Sequence, residues 1–369
     1  MGADDDSTLE AEPRGDAHGG DDAAQVGSPS AETLEAEPPE PEIPRKVALP
    51  WRRMVLGIFL GLLAGVVVIL IVNPHVAEDI EAATLATRQP WYLFFAFLSL
   101  LVLLVADSWS LVLLVRVIRP EVSRKKTLGV ALEAHLVGGA TSFGGLEIPY
   151  QVFVLYRIGL RPSESMSAVL VKGVIHTTVL VLVALAAFMP FASSPITPLQ
   201  RWIVLGIIGA MLFAWVVGYF WLRRPLGLSL LPERIRTRLD GFIEAMAVFR
   251  HAGWRVMVQL VALQLVYWVA MFAIIPLVLH ALGWRGPIMP IMTGQAVLQV
   301  LMPLSPLPGG AGVAEFGYLE LIGPNAPERI RVASLILWRV FTWLIPMAIG
   351  AVALGMRTAG YGGRLRRRR

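Results

Sequence analysis

Six stretches rich in Leu, Ile, Val, Ala and Phe, each long enough to cross a bilayer, are separated along the chain by short charged loops. A crossing helix needs about 20 apolar residues. The pattern predicts spans over Met54–Val72, Trp91–Val115, Ser167–Met189, Trp202–Leu222, Val256–Leu279 and Val332–Gly355. Two further apolar regions, Thr127–Gly159 and Ile288–Ile322, are each cut into pieces too short to cross. The first cut is Thr141–Pro149, TSFGGLEIP; the second is Ser305–Phe316, SPLPGGAGVAEF. Pro303, Pro306 and Pro308 lack a backbone donor and clash with helical continuation, and the glycines that follow leave the backbone bare. Broken backbone at membrane depth survives only where it is buried in protein or lines a wet cavity. Each cut region therefore predicts a re-entrant helical hairpin. The expected fold is all-α, a polytopic membrane helix bundle of about six full spans plus two such hairpins.

Charge gives the sidedness. Arg45, Lys46, Arg52 and Arg53 precede the first span, and Arg116, Arg119, Arg124, Lys125 and Lys126 follow the second. Arg157 and Arg161 follow the first hairpin, Arg223 and Arg224 the fourth span, and Arg357 and the terminal arginines the last. Basic residues collect on the cytoplasmic side, so both termini are expected there; Arg285, Arg329 and Arg331 are the exceptions, placed outside. Trp51, Trp91, Trp202, Trp221, Trp254 and Trp284 fall near span ends, where indole prefers the interface; Met and Trp residues within spans read as ordinary packing. Between spans four and five, residues 225–255 carry Ile235, Leu239, Phe242, Ile243, Met246 and Phe249 at helical spacing, an amphipathic cytoplasmic connector.

A content of 56% hydrophobic residues and a mean hydropathy of +0.64 exclude an ordinary soluble domain. The chain has no cysteine, so it has no disulfide framework, thiol nucleophile or cysteine metal site. The net charge of +5 conceals two regions: residues 1–44 hold 13 acids and one base, Arg14, a net of −12, and the remainder holds 31 bases and 14 acids, a net of +17. Residues 1–47 are thus expected to be a disordered acidic tail, too acidic at its start for a signal peptide, and a possible docking arm for a protein partner. Residues 48–356 form the transmembrane domain, with halves of about 54–222 and 223–356, and 357–369 a basic cytoplasmic tail. A basic membrane body points to anionic lipid head groups and not to nucleic acid.

The two cuts resemble each other. Gly144–Gly145 is followed by Glu147, and Gly309–Gly310 by Gly312 and Glu315. Each acid precedes a span carrying one base, Lys172 or Arg339, at separations of 25 and 24 positions. Span two matches span five, and span three matches span six, at an offset of about 165, and the charge bias makes each matched pair run in opposite directions. This is an inverted repeat, in which short Gly/Pro-interrupted segments mark the binding site. An intramembrane base costs about 2.5–3.5 kcal/mol on insertion scales, so each is expected to pair with the acid of its own half: Lys172 with Glu147, Arg339 with Glu315. Exposed N–H groups in the Gly-rich breaks would bind a phosphate-like anion. Glu315 could equally favour the first helical turn after Gly312, and the two bases could reach to the interface. Asp107, His176, Glu133 and His135 are further intramembrane candidates; His176 shares a helix face with Lys172 and reads more readily as a hydrogen-bonded core residue.

PLPGGAGVAEF is similar to the P-x-P-G-G-x-G-x-x-E signature of the lysylphosphatidylglycerol synthase transmembrane region, a flippase-like family also called uncharacterised protein family 0104. TSFGGLEIPYQ and the Lys172 span are similar to its first-half motif, except that Ser142 or Phe143 stands where many members have Pro, and Ile148 to Gln151 where they have Arg. The resemblance covers about residues 50–356. It implies a flippase-like integral protein of a bacterial or archaeal plasma membrane. Better-known members carry a cytosolic aminoacyl transferase; the chain ending at Arg369 leaves no room for one, so synthase activity is not expected.

The expected function is binding and translocation of an anionic phospholipid or lipid-linked head group by Gly144, Gly145, Glu147, Lys172, Gly309, Gly310, Gly312, Glu315 and Arg339. Two alternatives use the same features: a secondary transporter of a small anionic solute, and an accessory protein of lipid or envelope synthesis. No G-x-x-x-x-G-K-[ST] loop is present, so movement would be passive or ion-coupled. No spacing reads as a metal site or as a nucleophile with its base, so neither cofactor nor enzyme activity is expected.

Overall fold

The computed structural model describes residues 89–188 and 253–366, with isolated helical positions at 59, 63, 202, 205, 206, 209 and 213. The acidic tail, the predicted first and fourth spans and most of the connector lie outside the described residues. Among the described residues every regular element is helical: α1 (Trp91–Ile118), α2 (Arg124–Gly139), α3 (Glu147–Arg157), α4 (Pro162–Phe188), α5 (Trp254–Ala281), α6 (Ile288–Leu301), α7 (Val313–Leu321), α8 (Glu328–Arg339) and α9 (Ile345–Arg366). Four stretches among the described residues are long and apolar enough to cross a membrane: Trp91–Ile118, Pro162–Ala186, Trp254–Ala281 and Glu328–Thr358. These are the second, third, fifth and sixth predicted spans, so the chain is an all-helical, multi-pass membrane protein. The last helix runs on to Arg366, past the predicted end at Gly355.

The last crossing is not a plain helix. Val340–Leu344 is a π turn between α8 and α9, directly after Arg339. Pro346 supplies the physical reason, since it cannot donate to the preceding turn and crowds the carbonyl four residues back. Widening by one residue relieves both, and π turns of this kind collect at functional sites.

The two cut regions fold as helical hairpins. Lys125 and Lys126 at the start of α2 line the same cavity as Ile158 just beyond α3. In the second, Trp284 Nε1 before α6 donates to the Asn325 carbonyl beyond α7 over 3.0 Å. Arg285 Nη2 donates to Gln89 Oε1 over 2.6 Å, which sets that base beside the start of α1. The first hairpin instead leaves from the far end of α1, about 40 Å away at 1.5 Å per residue. The bases thus lie at opposite ends of the bundle and the tips meet within it, Ser142–Gly144 against Pro308–Gly310.

Two apolar clusters hold this arrangement. The larger joins α1, α4, α5, α6, α7 and α8 through Leu100, Trp268, Ile275, Leu298, Tyr318 and Trp338. The smaller packs the far end of α1 against α2, α3 and α4 through Leu111, Val130, Leu155 and Val169. Glu164 ties α4 to α1, accepting the Arg161 backbone N–H over 2.8 Å and pairing with Arg119 Nη2 at 3.1 Å. Outward faces are apolar too: Val105 is 62% exposed, and Phe94, Leu182, Val258 and Val269 are also exposed. A water-facing helix would carry a polar stripe there; lipid needs none.

Helix α2 packs on α9 almost backbone to backbone. A Cβ added to Gly350 would lie 2.6 Å from the Leu132 carbonyl oxygen and 3.0 Å from Leu136 Cβ. Small residues allow this approach where no hydrophobic effect drives helices together. Gly350→Ala is expected to lower stability by about 1–3 kcal/mol, the usual cost of overpacking. Gly355→Ala, with nothing within 4 Å of the added atom, is the neutral control. Thermal unfolding of the purified protein in detergent measures both, and equal midpoints would refute the close crossing.

Candidate functional site

The meeting tips enclose a cavity of about 580 Å³. Its wall includes Gly144 and Glu147 from the first cut, Gly309 and Gly310 from the second, and both intramembrane bases, Lys172 and Arg339. Sequence positions nearly 200 residues apart therefore converge on one space. Gly145, Gly312 and Glu315 are not on the wall: Gly145 faces outward, and Gly312 and Glu315 belong to the support behind Arg339.

Arg339, the last residue of α8, is buried, as is Glu315 in the first turn of α7. Arg339 Nε lies 2.8 Å from Glu315 Oε1, the pair the repeat spacing predicts. The other carboxylate oxygen of Glu315 accepts the Gly312 N–H over 2.7 Å, so this acid caps its helix and holds the base together. Arg339 Nη1 donates to the Gly309 carbonyl over 2.9 Å, and the guanidinium carbon lies 4.6 Å from the centre of the Trp343 ring. Arg339 Nη2 is buried with no partner. A planar fork can serve several acceptors at once, and here one of its donors is left without one.

The first half is built differently. Lys172 Nζ lies 2.7 Å from Asp107 Oδ2 on α1, and both groups are buried. The expected Lys172–Glu147 pair is therefore not formed. The physical reason is direction: Asp107 already stands on a neighbouring rigid helix, and one compact ammonium needs only one close carboxylate. Glu147 takes a neutral contact instead, accepting from Gln151 Nε2 over 3.1 Å one helical turn on. His135 Nε2 lies 3.6 Å from Asp107 Oδ2. His176 Nδ1 lies 2.8 Å from Gln264 Oε1, whose amide donates to Ser110 Oγ over 3.1 Å. That amide chain engages Nδ1 of His176, which is half-buried and also lines the cavity.

The two tips share a backbone form, in a register one residue from the sequence match. Phe143 and Gly144 have φ of +54° and +62°; Gly309 and Gly310 have +63° and +73°. Phe143, the one non-glycine with positive φ among the described residues, thus stands where the second tip has Gly309. Glycine is needed at 309 for a second reason, since an added Cβ there would collide with the Trp343 indole. The tip N–H groups are not free for an anion. Gly144, Gly145 and Gly310 donate to Thr141, Ser142 and Leu307 carbonyls, and Gly312 to Glu315.

Three participants were missed or underrated in the sequence. Asp107 was a candidate without an assigned partner. Gln264 carried no signal beyond a polar residue inside an apolar span, which is itself the signal that could have found it. Trp343, read as ordinary packing, stacks on Arg339 and donates to the Gly139 carbonyl over 3.0 Å, which joins the π turn to the end of α2. Among the described residues no group of three His, Cys, Asp or Glu is placed to hold a metal.

A family model described as "Lysylphosphatidylglycerol synthase TM region" matches residues 54–350. A search of curated proteins finds no significant match.

Removing one partner of a buried ion pair costs about 3–5 kcal/mol. Asp107→Asn and Glu315→Gln are each expected to destabilise by that order, while Glu147→Gln, which breaks no ion pair, is mild. Melting of the three variants in detergent decides the pairing; a loss for Glu147→Gln as large as for Asp107→Asn would contradict it.

Proposed function

The chain belongs to the family of the lysylphosphatidylglycerol synthase transmembrane region, and on that premise we propose that its central cavity binds the phosphate-bearing head group of an anionic lipid and passes it between leaflets. The observation that carries this reading is Arg339, which lines a cavity together with Lys172 and whose buried Nη2 has no acceptor. A buried cationic donor without an acceptor is a standing cost, and a phosphate oxygen would remove it with a charge-assisted bond. Lys172 would take a second oxygen as a point charge, with Asp107 and Glu315 holding the bases when the site is empty.

In this reading the two hairpins are re-entrant, one from each leaflet, and the halves are an inverted repeat. The matching positive-φ tips and the opposite positions of the hairpin bases support it. The protein sits in a bacterial or archaeal plasma membrane with both termini cytoplasmic, as the basic loops favour. The acidic residues 1–47 offer a docking arm to a protein partner. A cavity of about 580 Å³ would also hold a small phosphorylated solute, which gives the second reading, a secondary anion transporter.

Reconstitution into liposomes with fluorescent phospholipid tests the proposal. Wild type is expected to exchange label between leaflets, and the Lys172→Ala, Arg339→Ala double variant to fall to the protein-free rate. Exchange that persists unchanged in the double variant overturns the mechanism, and solute uptake without lipid exchange favours the second reading.

A further inference from the structure

A second cavity, of about 510 Å³, lies between the start of α2 and the end of α9 and shares no wall residue with the central one. Leu128, Leu132, Ile158, Ala353 and Met356 make most of its wall apolar, and Lys125, Lys126 and Arg357 add three cations. Also on the wall is Glu133, with 0% exposure. One of its oxygens, Oε2, accepts from Tyr150 Oη over 2.6 Å and pairs with Arg357 Nη2 at 2.8 Å. The other, Oε1, is buried without a partner, and so is Arg357 Nε. One acceptor and one donor, both charged, are thus left unanswered in one apolar pocket, which buried groups rarely are.

Gly129 keeps the cover over the buried Oε1 thin. It stands inside α2, where glycine weakens a helix. Close packing does not require it: the only atom within 4 Å of an added Cβ is Glu133 Oε1, at 3.8 Å. The missing side chain therefore leaves open the space beside that oxygen. Whatever enters must bring an acceptor for Arg357 and the lysines, a donor for Glu133, and apolar surface for the rest of the wall. A phosphate with a neighbouring ammonium on an acyl-chain lipid has all three. A quaternary ammonium lacks the donor, and a glycerol head group lacks the positive charge.

We propose that this cavity is a binding site for an amine-bearing phospholipid of the phosphatidylethanolamine class, separate from the central site. The phosphate lies against Lys125, Lys126 and Arg357 Nε, the ammonium donates to Glu133 Oε1, and an acyl chain follows Leu132 and Met356 into the bilayer. At the basic end of the bundle, such a lipid would join α2 of the first hairpin to the last helix.

Native mass spectrometry of the purified full-length protein in detergent tests this, with phosphatidylethanolamine, phosphatidylcholine and phosphatidylglycerol titrated separately. Phosphatidylethanolamine is expected to bind one site at least about tenfold tighter than either of the others, the factor that one charge-assisted hydrogen bond supplies. Gly129→Leu, which points into open space and leaves the Glu133–Arg357 pair intact, is expected to abolish that preference while keeping the wild-type melting temperature. Glu133→Gln should lose it as well, and comparison with Gly129→Leu separates loss of the site from loss of the fold. The Lys172→Ala, Arg339→Ala variant should retain it, which keeps this result independent of the central site. Equal binding of the three lipids, an unchanged preference in Gly129→Leu, or its loss in the central-site variant each overturns the assignment.

Discussion

Arg339 and the broken backbone beside it depend on each other. A guanidinium at membrane depth has no water to solvate it, and a Gly-Gly turn at that depth leaves a carbonyl that no helix satisfies. The bond from Arg339 Nη1 to the Gly309 oxygen answers both needs, and Glu315 neutralises the charge while capping the helix that the turn begins. Trp343 covers the face of the guanidinium and reaches across to Gly139. Removal of any one partner leaves the others with an unpaired buried group. The second tip, the start of α7 and the π turn are therefore one interaction unit and not three adjacent features.

The first half solves the same problem with different chemistry. An ammonium is a compact charge that needs one close carboxylate, whereas a guanidinium fork needs several acceptors in its plane. Lys172 accordingly pairs with Asp107 across a helix interface and leaves its own tip out of the contact. Glu147 is thereby released from an ion pair and faces the cavity with only Gln151 as partner. The two halves present an asymmetric wall: on one side an acid free of any cation, on the other a base with a donor to spare. A ligand with a phosphate is oriented by that difference, since its charge is drawn to Arg339 and repelled by Glu147 when that acid is ionised.

Four of the six spans, the cuts and the Glu315–Arg339 pair were legible in the sequence because each rests on local rules. Apolar length sets a crossing, Pro and Gly set a break, and an acid three positions past Gly312 sets a cap. The Lys172–Asp107 pair was not legible, because which of two acids meets a base depends on the rotation of α1 against α4, and uniformly apolar helices do not encode their rotation in a polar stripe. The one-residue register difference between the tips has the same origin. Gly144–Gly145 looked like Gly309–Gly310, but conformation follows the backbone and not the letter, and Phe143 adopts the positive φ. Trp343 escaped notice because its partners, a carbonyl and a guanidinium, lie 204 and 4 residues away.

How such a bundle could open is constrained by where its tightest contacts fall. If the halves moved as rigid bodies, the seam between them would be loosely packed. Instead α2 of the first half meets α9 of the second within reach of backbone oxygen, and α1 lies against α5 along the main core. The described residues 89–188 and 253–366 accordingly cohere as one unit. Among the segments that interrupt the α-helices, the two tips and the π turn border the central cavity. Short irregular segments with few apolar contacts are where opening costs least. The proposed passage would therefore be better served by local rearrangement of the tips around a fixed helical frame than by rocking of one half against the other. Trp343, which lies against Gly309, Arg339 and the end of α2, is the side chain such a rearrangement must displace first.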